Sequence, residues 1–207
     1  MQKIISLIFK FFRKILRLVI NQIEMICCNI QFYLHNVEHK DFSTNGLPFI
    51  SVAIGGRCFI DEGFKMNNNL KGNPIGRPQP CIFFVDRAAI LLIGKNVGIS
   101  ATAIVTHHSI SIGDNVKIGG GVCIYDSDFH SLDPKARVNS ELDRQSQNKL
   151  PVFIEDNVFI GAHSTVLKGV TIGKNSIVGA CSVVVKNIPA NEIWAGNPAR
   201  FIRKLND

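Results

Sequence analysis

The feature that most constrains this 207-residue chain is a period of six. Ile154, Ile160, Val166, Ile172, Val178 and Val184 stand six residues apart, as do Ile112, Ile118 and Ile124, and Ile93 and Ile99. Two residues ahead of these leads lie Val158, Ser164, Val170, Ser176 and Ser182, with Val116 and Val122 in the earlier block. An aliphatic residue and a small or β-branched one two before it share one side of a short strand. Gly follows many leads (Gly94, Gly113, Gly119, Gly161, Gly173, Gly179), and pairs such as Lys95-Asn96, Asp114-Asn115, Asp156-Asn157 and Lys174-Asn175 come next. Gly and Asn accept the positive φ of a sharp corner. Short strand, corner, short strand, with no helix-length segment between, describes a solenoid.

Two stretches interrupt it. Residues 65–80, with Asn67-Asn68-Asn69, Pro74, Gly76, Pro78 and Pro80, read as an early loop. Between Ile124 and Val152 the repeat stops, and residues 126–151 leave as a polar loop that opens Asp126-Ser127-Asp128-Phe129-His130. A solenoid needs no such excursion, and long loops on rigid scaffolds tend to carry function. An imidazole at the base of that loop suits removing a proton from a hydroxyl; a plain surface histidine is the alternative for His130. Asp126 and Asp128 are candidates to orient the ring or meet an acceptor, with a simple loop role equally open. After Val184, Pro189 stops the ladder, and residues 201–205 are expected to form a short capping helix. The expected organisation is a helical segment at 1–46, the solenoid at 47–190 and a cap at 191–207.

The net charge of +7 is uneven: Lys3, Lys10, Arg13, Lys14 and Arg17 place five cations and no acid in the first twenty residues. No basic patch interleaved with aromatics occurs elsewhere, which argues against a nucleic-acid partner. Residues 3–20 read as an amphipathic helix with the cations on one face and Phe9, Phe12, Leu16 and Val19 on the other. No stretch reaches the ~18 uncharged apolar residues of a bilayer span, and no small-residue cleavage site ends the segment. Such a helix suits an anionic membrane surface; packing on its own domain or in an oligomer is the alternative. The role of residues 21–40 stays open. The six cysteines form neither a CxxC pair nor a metal-spaced Cys/His cluster. They read as reduced thiols of a cytosolic protein, with no metal required.

Over roughly residues 47–203 the hexads resemble the hexapeptide-repeat acyltransferases. That resemblance implies a left-handed parallel β-helix, three hexads to a coil, a hand opposite to the usual crossover rule. The order of hexads, His-bearing loop, hexads and then Ala195-Gly196-Asn197-Pro198-Ala199-Arg200 is similar to the galactoside and maltose acetyltransferases. The Asp-x-Asp-Phe-His string at 126–130 and Asn73-Pro74-Ile75-Gly76 resemble the acetyltransferases of capsule and O-antigen synthesis. The resemblance implies a cytoplasmic, homotrimeric enzyme, peripheral on the inner membrane face if residues 3–20 dock there. It would use acetyl-CoA to O-acetylate a sugar hydroxyl for surface polysaccharide. His130 then matches the general base, with direct transfer and no acyl-enzyme, and a backbone N–H of a facing coil stabilises the oxyanion.

On the acceptor side, galactoside-type members hold the sugar with an Asn where this chain has the shorter Gly98-Ile99-Ser100-Ala101, which leaves Ser100 to substitute. His107 and His108 on the next corner are expected to face the same groove, and Asp128 to approach the acceptor. On the donor side, Ala162 and Ala180 match positions along the pantetheine arm. Lys186, Arg200 and Arg203 match basic residues near the nucleotide, with Val185 in place of a Thr. Three readings compete. An N-acetyltransferase on an amino- or nucleotide-sugar usually carries an N-terminal nucleotide-binding domain, for which residues 1–46 are too short. A zinc-dependent carbonic anhydrase of this fold needs a histidine five residues from His130, and none stands at 125 or 135. A non-catalytic scaffold leaves the histidine loop unexplained.

Overall fold

The computed structural model describes residues 1–70, 73–75 and 79–205. Helix α1 (Gln2–Leu34) leads into a prism of parallel strands. The first coil is β1 (Val37–His39), β2 (Phe42–Asn45) and β3 (Phe49–Val52). The second is β4 (Arg57–Ile60), β5 (Phe64–Asn67) and β6 (Ile82–Val85), and the third β7 (Ile90–Ile93), β8 (Gly98–Ser100) and β9 (Ala103–Thr106). The fourth is β10 (Ser109–Ile112), β11 (Lys117–Ile118) and β12 (Cys123–Tyr125). After the long loop, with its helices α2 (Pro134–Arg137) and α3 (Ser140–Gln145), come two more coils. They are β13 (Val152–Ile154), β14 (Phe159–Ile160) and β15 (Thr165–Val166), then β16 (Thr171–Ile172), β17 (Ile177–Val178) and β18 (Val183–Val184). The chain ends with β19 (Glu192–Ala195) and β20 (Arg200–Lys204).

Every third strand stacks on the last, giving a first face from β1 to β16, a second from β2 through β17 and β19 to β20, and a third from β3 to β18. This is the left-handed parallel β-helix that the hexads imply. All the aliphatic leads and the residues two before them are buried. The hydroxyls among them are satisfied by backbone carbonyls: Ser164 donates to Gly179 of the next coil at 3.0 Å, Ser182 to the same carbonyl on its own corner at 2.7 Å, and Ser176 to Pro189 at 2.6 Å. A buried hydroxyl without a partner would cost the fold.

At the edge between first and second faces, Asn96, Asn115, Asn157, Asn175 and Asn191 all take positive φ, between 55° and 63°. Their side-chain amides bond from each to the next along the prism at 2.7–3.3 Å. Asn tolerates this conformation better than other non-glycine residues, so one residue type serves both the corner and the coil-to-coil tie.

Three expectations change. The solenoid begins at Val37, not residue 47, because β1 and β2 already pair with β4 and β5; only residues 2–34 of the leading segment are helical. Residues 65–67 belong to β5, so the early loop starts at Asn68; Gly76 and Pro78 lie outside the described residues. The expected capping helix is a strand: β20 runs antiparallel to β19 and covers the open edge of the second face by pairing with it, where a helix would have covered that edge without hydrogen-bonding to it.

Candidate active site

The excursion after β12 is a folded unit with a pinched stem. Ser127 pairs with Lys149, the Asp128 amide donates to the Asn148 carbonyl at 3.1 Å, and the Leu150 amide donates to the Asp126 carbonyl at 2.9 Å. Below the stem, the buried Asp126 carboxylate accepts the backbone N–H groups of His107 and His108, both at 2.7 Å. Asp126 is therefore a corner brace and does not touch His130. Ser127 Oγ lies 3.0 Å from His107 Nδ1, and the His107 ring packs between Phe84 and Phe129 with centroids 5.5 Å from each. Burial holds the His107 pKa below its ordinary value, so the ring is a neutral wedge. Asp128 pairs with Lys168 at 2.5 Å beneath the loop. Asp128 does not orient the His130 ring: its Oδ1 pairs with Lys168, while its Oδ2 is buried without a partner.

His130 follows Phe129, whose φ is +62°, and the turn lifts the imidazole clear: its side chain is 72% exposed. Its Nδ1 lies 2.7 Å from Asp143 Oδ2, while Asp143 Oδ1 accepts the Ser131 N–H at 2.6 Å. Asp143 sits on α3, whose start is capped by the Asn139 side chain accepting from the amides of Glu141 and Leu142. That cap fixes the helix, and the helix fixes the acid. The bond to His130, then the Ser131 amide and the nearby Arg137, hold the Asp143 pKa below the usual carboxylate value. An ionised carboxylate only accepts, so the Nδ1 facing Asp143 carries a hydrogen, which leaves Nε2 as the ring nitrogen turned away from the acid. Asp143 was not singled out in the sequence; the one available signal was an acid late in a loop already chosen for its histidine.

The remaining candidates sit elsewhere on the prism. His107, His108 and the loop occupy the edge between third and first faces, whereas Ser100 turns the edge between second and third. The structure thus separates Ser100 from the two histidines expected to share its groove. Beside Ser100 it supplies Asn67, whose amide donates to Ser100 Oγ at 3.1 Å. Asn67 went unseen because it was read as loop.

Along the same second–third edge run Gly119-Gly120, Gly161-Ala162, Gly179-Ala180 and Ala195-Gly196. A Cβ on Gly119 or Gly161 would meet the backbone nitrogen of Ala162 or Ala180 at 2.6 or 2.5 Å. The coils stack here with glycine inside and the methyl groups of Ala162 and Ala180 outside, which leaves a narrow lane bordered by His163 and Cys181 and met at Gly120 by Asn73 and Ile75 of the early loop. Arg200 begins β20 opposite Ala195 at the top of the lane, with Arg203 opposite Ile193. Lys186 and the exposed Val185 follow β18 on the far side of the third face. Among the described residues none of these three cations pairs with an acid.

Residues 151–186 match the family described as bacterial transferase hexapeptide (six repeats), and residues 91–126 the hexapeptide repeat of succinyl-transferase. With the prism above, these matches make the chain similar to hexapeptide-repeat β-helix proteins over about a third of its length. The chain is 37% identical over 130 residues to galactoside O-acetyltransferase of Escherichia coli (strain K12), covering 62% of this chain and 61% of that one. It is 41% identical over 121 residues to the galactoside O-acetyltransferase of Lactococcus lactis subsp. lactis, covering 55% and 56%. It thus spans less than two thirds of the length of these relatives. A hexapeptide-repeat acetyltransferase of Vibrio cholerae O1 biovar eltor, solved with acetyl-coenzyme A, superposes with a TM-score of 0.50 at 34% identity over 57% of this chain and 61% of that one. AntD, an N-acyltransferase of Bacillus cereus solved with a dTDP-amino sugar and coenzyme A, shares the fold at 21% identity, with a TM-score of 0.64 over 84% and 88% of the two chains.

Proposed function

We propose that this chain is an acetyl-CoA-dependent O-acetyltransferase acting on a sugar hydroxyl that enters surface polysaccharide, with His130 as general base. The observation that carries the reading is the His130–Asp143 pair: one ring nitrogen is held by an anchored carboxylate and the other faces outward. Asp143 fixes the tautomer that makes Nε2 the base and stabilises the imidazolium that forms. His130 Nε2 takes the acceptor's hydroxyl proton as that oxygen bonds to the thioester carbonyl carbon. A backbone N–H of a facing coil meets the oxyanion. When the C–S bond breaks, the thiolate leaves and His130 returns the proton to it. No acyl-enzyme is involved.

The lane fits the donor. Ala162 and Ala180 leave room for an extended thin arm, Arg200 and Arg203 at its top suit phosphates, and Lys186, on the far side of the third face, reaches them only from a neighbouring copy. The thioester would then reach the lower lane, near Ser100 and Asn67, whose hydroxyl and amide suit a sugar. His130 and the lane lie on different edges of one chain with the third face between them. A complete site on this reading needs the loop of a second copy against the lane of the first, and a closed ring of three copies supplies one per edge. The relatives support a sugar acceptor by the named activity of the galactoside enzymes, and the donor by the acetyl-coenzyme A held in the Vibrio relative.

The test is thiol release from acetyl-CoA across a panel of sugars, wild type against His130→Ala. Acceptor-dependent release that falls at least ~10²-fold in the variant is expected of a lost general base. Near-normal release by the variant would overturn the assignment.

A further inference from the structure

Helix α1 is firmly attached at one end only. Cys28 and Phe32 are buried, Phe32 packs 4.8 Å from the Phe42 ring, and Glu24 accepts the Gly46 amide at 2.7 Å. Every residue from 1 to 20 is exposed. Along the helix an apolar set repeats every eleven residues: Ile4, Ile15 and Ile26; Ile8, Val19 and Ile30; Phe12 and Ile23. Eleven residues make just over three whole turns, so the stripe stays within an arc of roughly 100° over about 39 Å without winding round the helix. All eight side chains are exposed, from 43% for Ile15 to 64% for Phe12. The stripe points away from the prism, since Glu24, Cys28 and Phe32 occupy the opposite side.

The five cations of residues 3–17 lie on that opposite side, within another arc of roughly 100°. Arg13 and Arg17 line a cavity of 580 Å³ facing Asn45, Asn68 and Gln79 of the first coils and the early loop. The helix therefore presents a straight apolar surface, backed by cations and with no acid before Glu24. No described helix is long and apolar enough to cross a membrane.

We infer that α1 is a docking surface for an anionic lipid bilayer, lying in the plane of the interface with the Ile4-to-Ile30 stripe among the acyl chains and the prism on the aqueous side. A straight stripe fits a flat surface. The apolar arc of residues 4–20 is also wider than a helix–helix seam, because Ile5, Leu7, Phe9, Phe11, Leu16 and Leu18 extend it on both flanks and are exposed too. A second copy would bring five more cations alongside and be repelled, whereas anionic headgroups neutralise them. The docking stands apart from acetyl transfer and needs no catalysis to be observed.

The experiment is co-sedimentation of the full chain with phosphatidylcholine vesicles, with and without phosphatidylglycerol, at low and high salt. The expected result is at least ~10-fold tighter binding to the phosphatidylglycerol vesicles, reduced by salt. The Phe12→Glu/Val19→Glu variant should lose at least ~10-fold of that binding while keeping its circular dichroism, because both side chains are free of the prism. Wild-type protein left in the supernatant, or a variant that binds as well as wild type, would overturn the inference. So would a wild-type assembly that light scattering shows to break into smaller species in the variant, since the stripe would then be covered by other copies. Thiol release by the same variant is read separately, so the two proposals can fail independently.

Discussion

The coils below the long loop and those above it solve the same problem with different material. Val37 pairs with Cys58, twenty-one residues on; Ile93 pairs with Ile112, nineteen on; Ile154 pairs with Ile172, eighteen on. Eighteen is three hexads, and there the strands after β13 shrink to two residues and the coils fill their core with Ile, Val and bonded Ser, with Ala199 and Trp194 closing the top. The longer lower coils take larger side chains: Phe64 and Phe83 meet edge to face at 6.2 Å in the core, and Phe32 of α1 closes the end against Phe42. A solenoid need not keep one circumference. It can taper when larger side chains occupy the longer coils, provided each coil still stacks in register.

That contrast can be broken by truncation. Phe64→Ala should cost about 3–5 kcal/mol, against about 1 kcal/mol for Ile172→Val, read by denaturant unfolding. Near-equal losses would mean that the aromatic end is slack. In the loop, the contrast is between catalysis and stability. Asp143→Asn should lower kcat ~10²-fold with the unfolding midpoint unmoved, because that carboxylate bonds only within the loop; loss of both together would make Asp143 a structural brace. Asn157→Ala removes two amide contacts and leaves an alanine at positive φ, at a cost of about 1–2 kcal/mol. A neutral result would reduce the amide ladder to a by-product of corner geometry.

The smallest expected effect is a pH dependence. Burial lowers the His107 pKa from 6.5, so the unfolded chain binds the proton more readily than the folded one. The stability linked to neutral His107 is fully present above pH 6.5 and is lost as pH falls below that value through the folded pKa. The melting temperature should drop across that window in the wild type and more shallowly in His107→Phe, where the ring contacts to Phe84 and Phe129 persist without a titrating nitrogen.

The same taper governed what was legible in the sequence. From Ile93 on, the period of six yields the prism, its buried leads and the loop that leaves it. The first coils, at lengths that six does not divide, hide β1 and β2 and disguise β5 as loop. Local pattern also misjudged the end of the chain: residues 201–205 carry no strong strand signal, and only the open edge above β19 calls for β20. In the loop His130 was readable by its placement, but Asp143 lies thirteen residues further on. Its approach depends on the turn at Phe129 and the cap at Asn139, neither of which a spacing rule conveys. Ser100 and His107 looked adjacent in sequence and were parted by an edge of the prism.

The pinched stem at Ser127 and Lys149 has a consequence for how such a protein can change over generations. Ile110 still faces Val152, and Ile112 faces Ile154, as if the intervening residues had never been inserted. Whatever lies beyond the stem is a cartridge. It can be lengthened, shortened or exchanged while the coils on either side keep their stacking, so what the loop touches is free to diverge at little risk to the architecture that carries it.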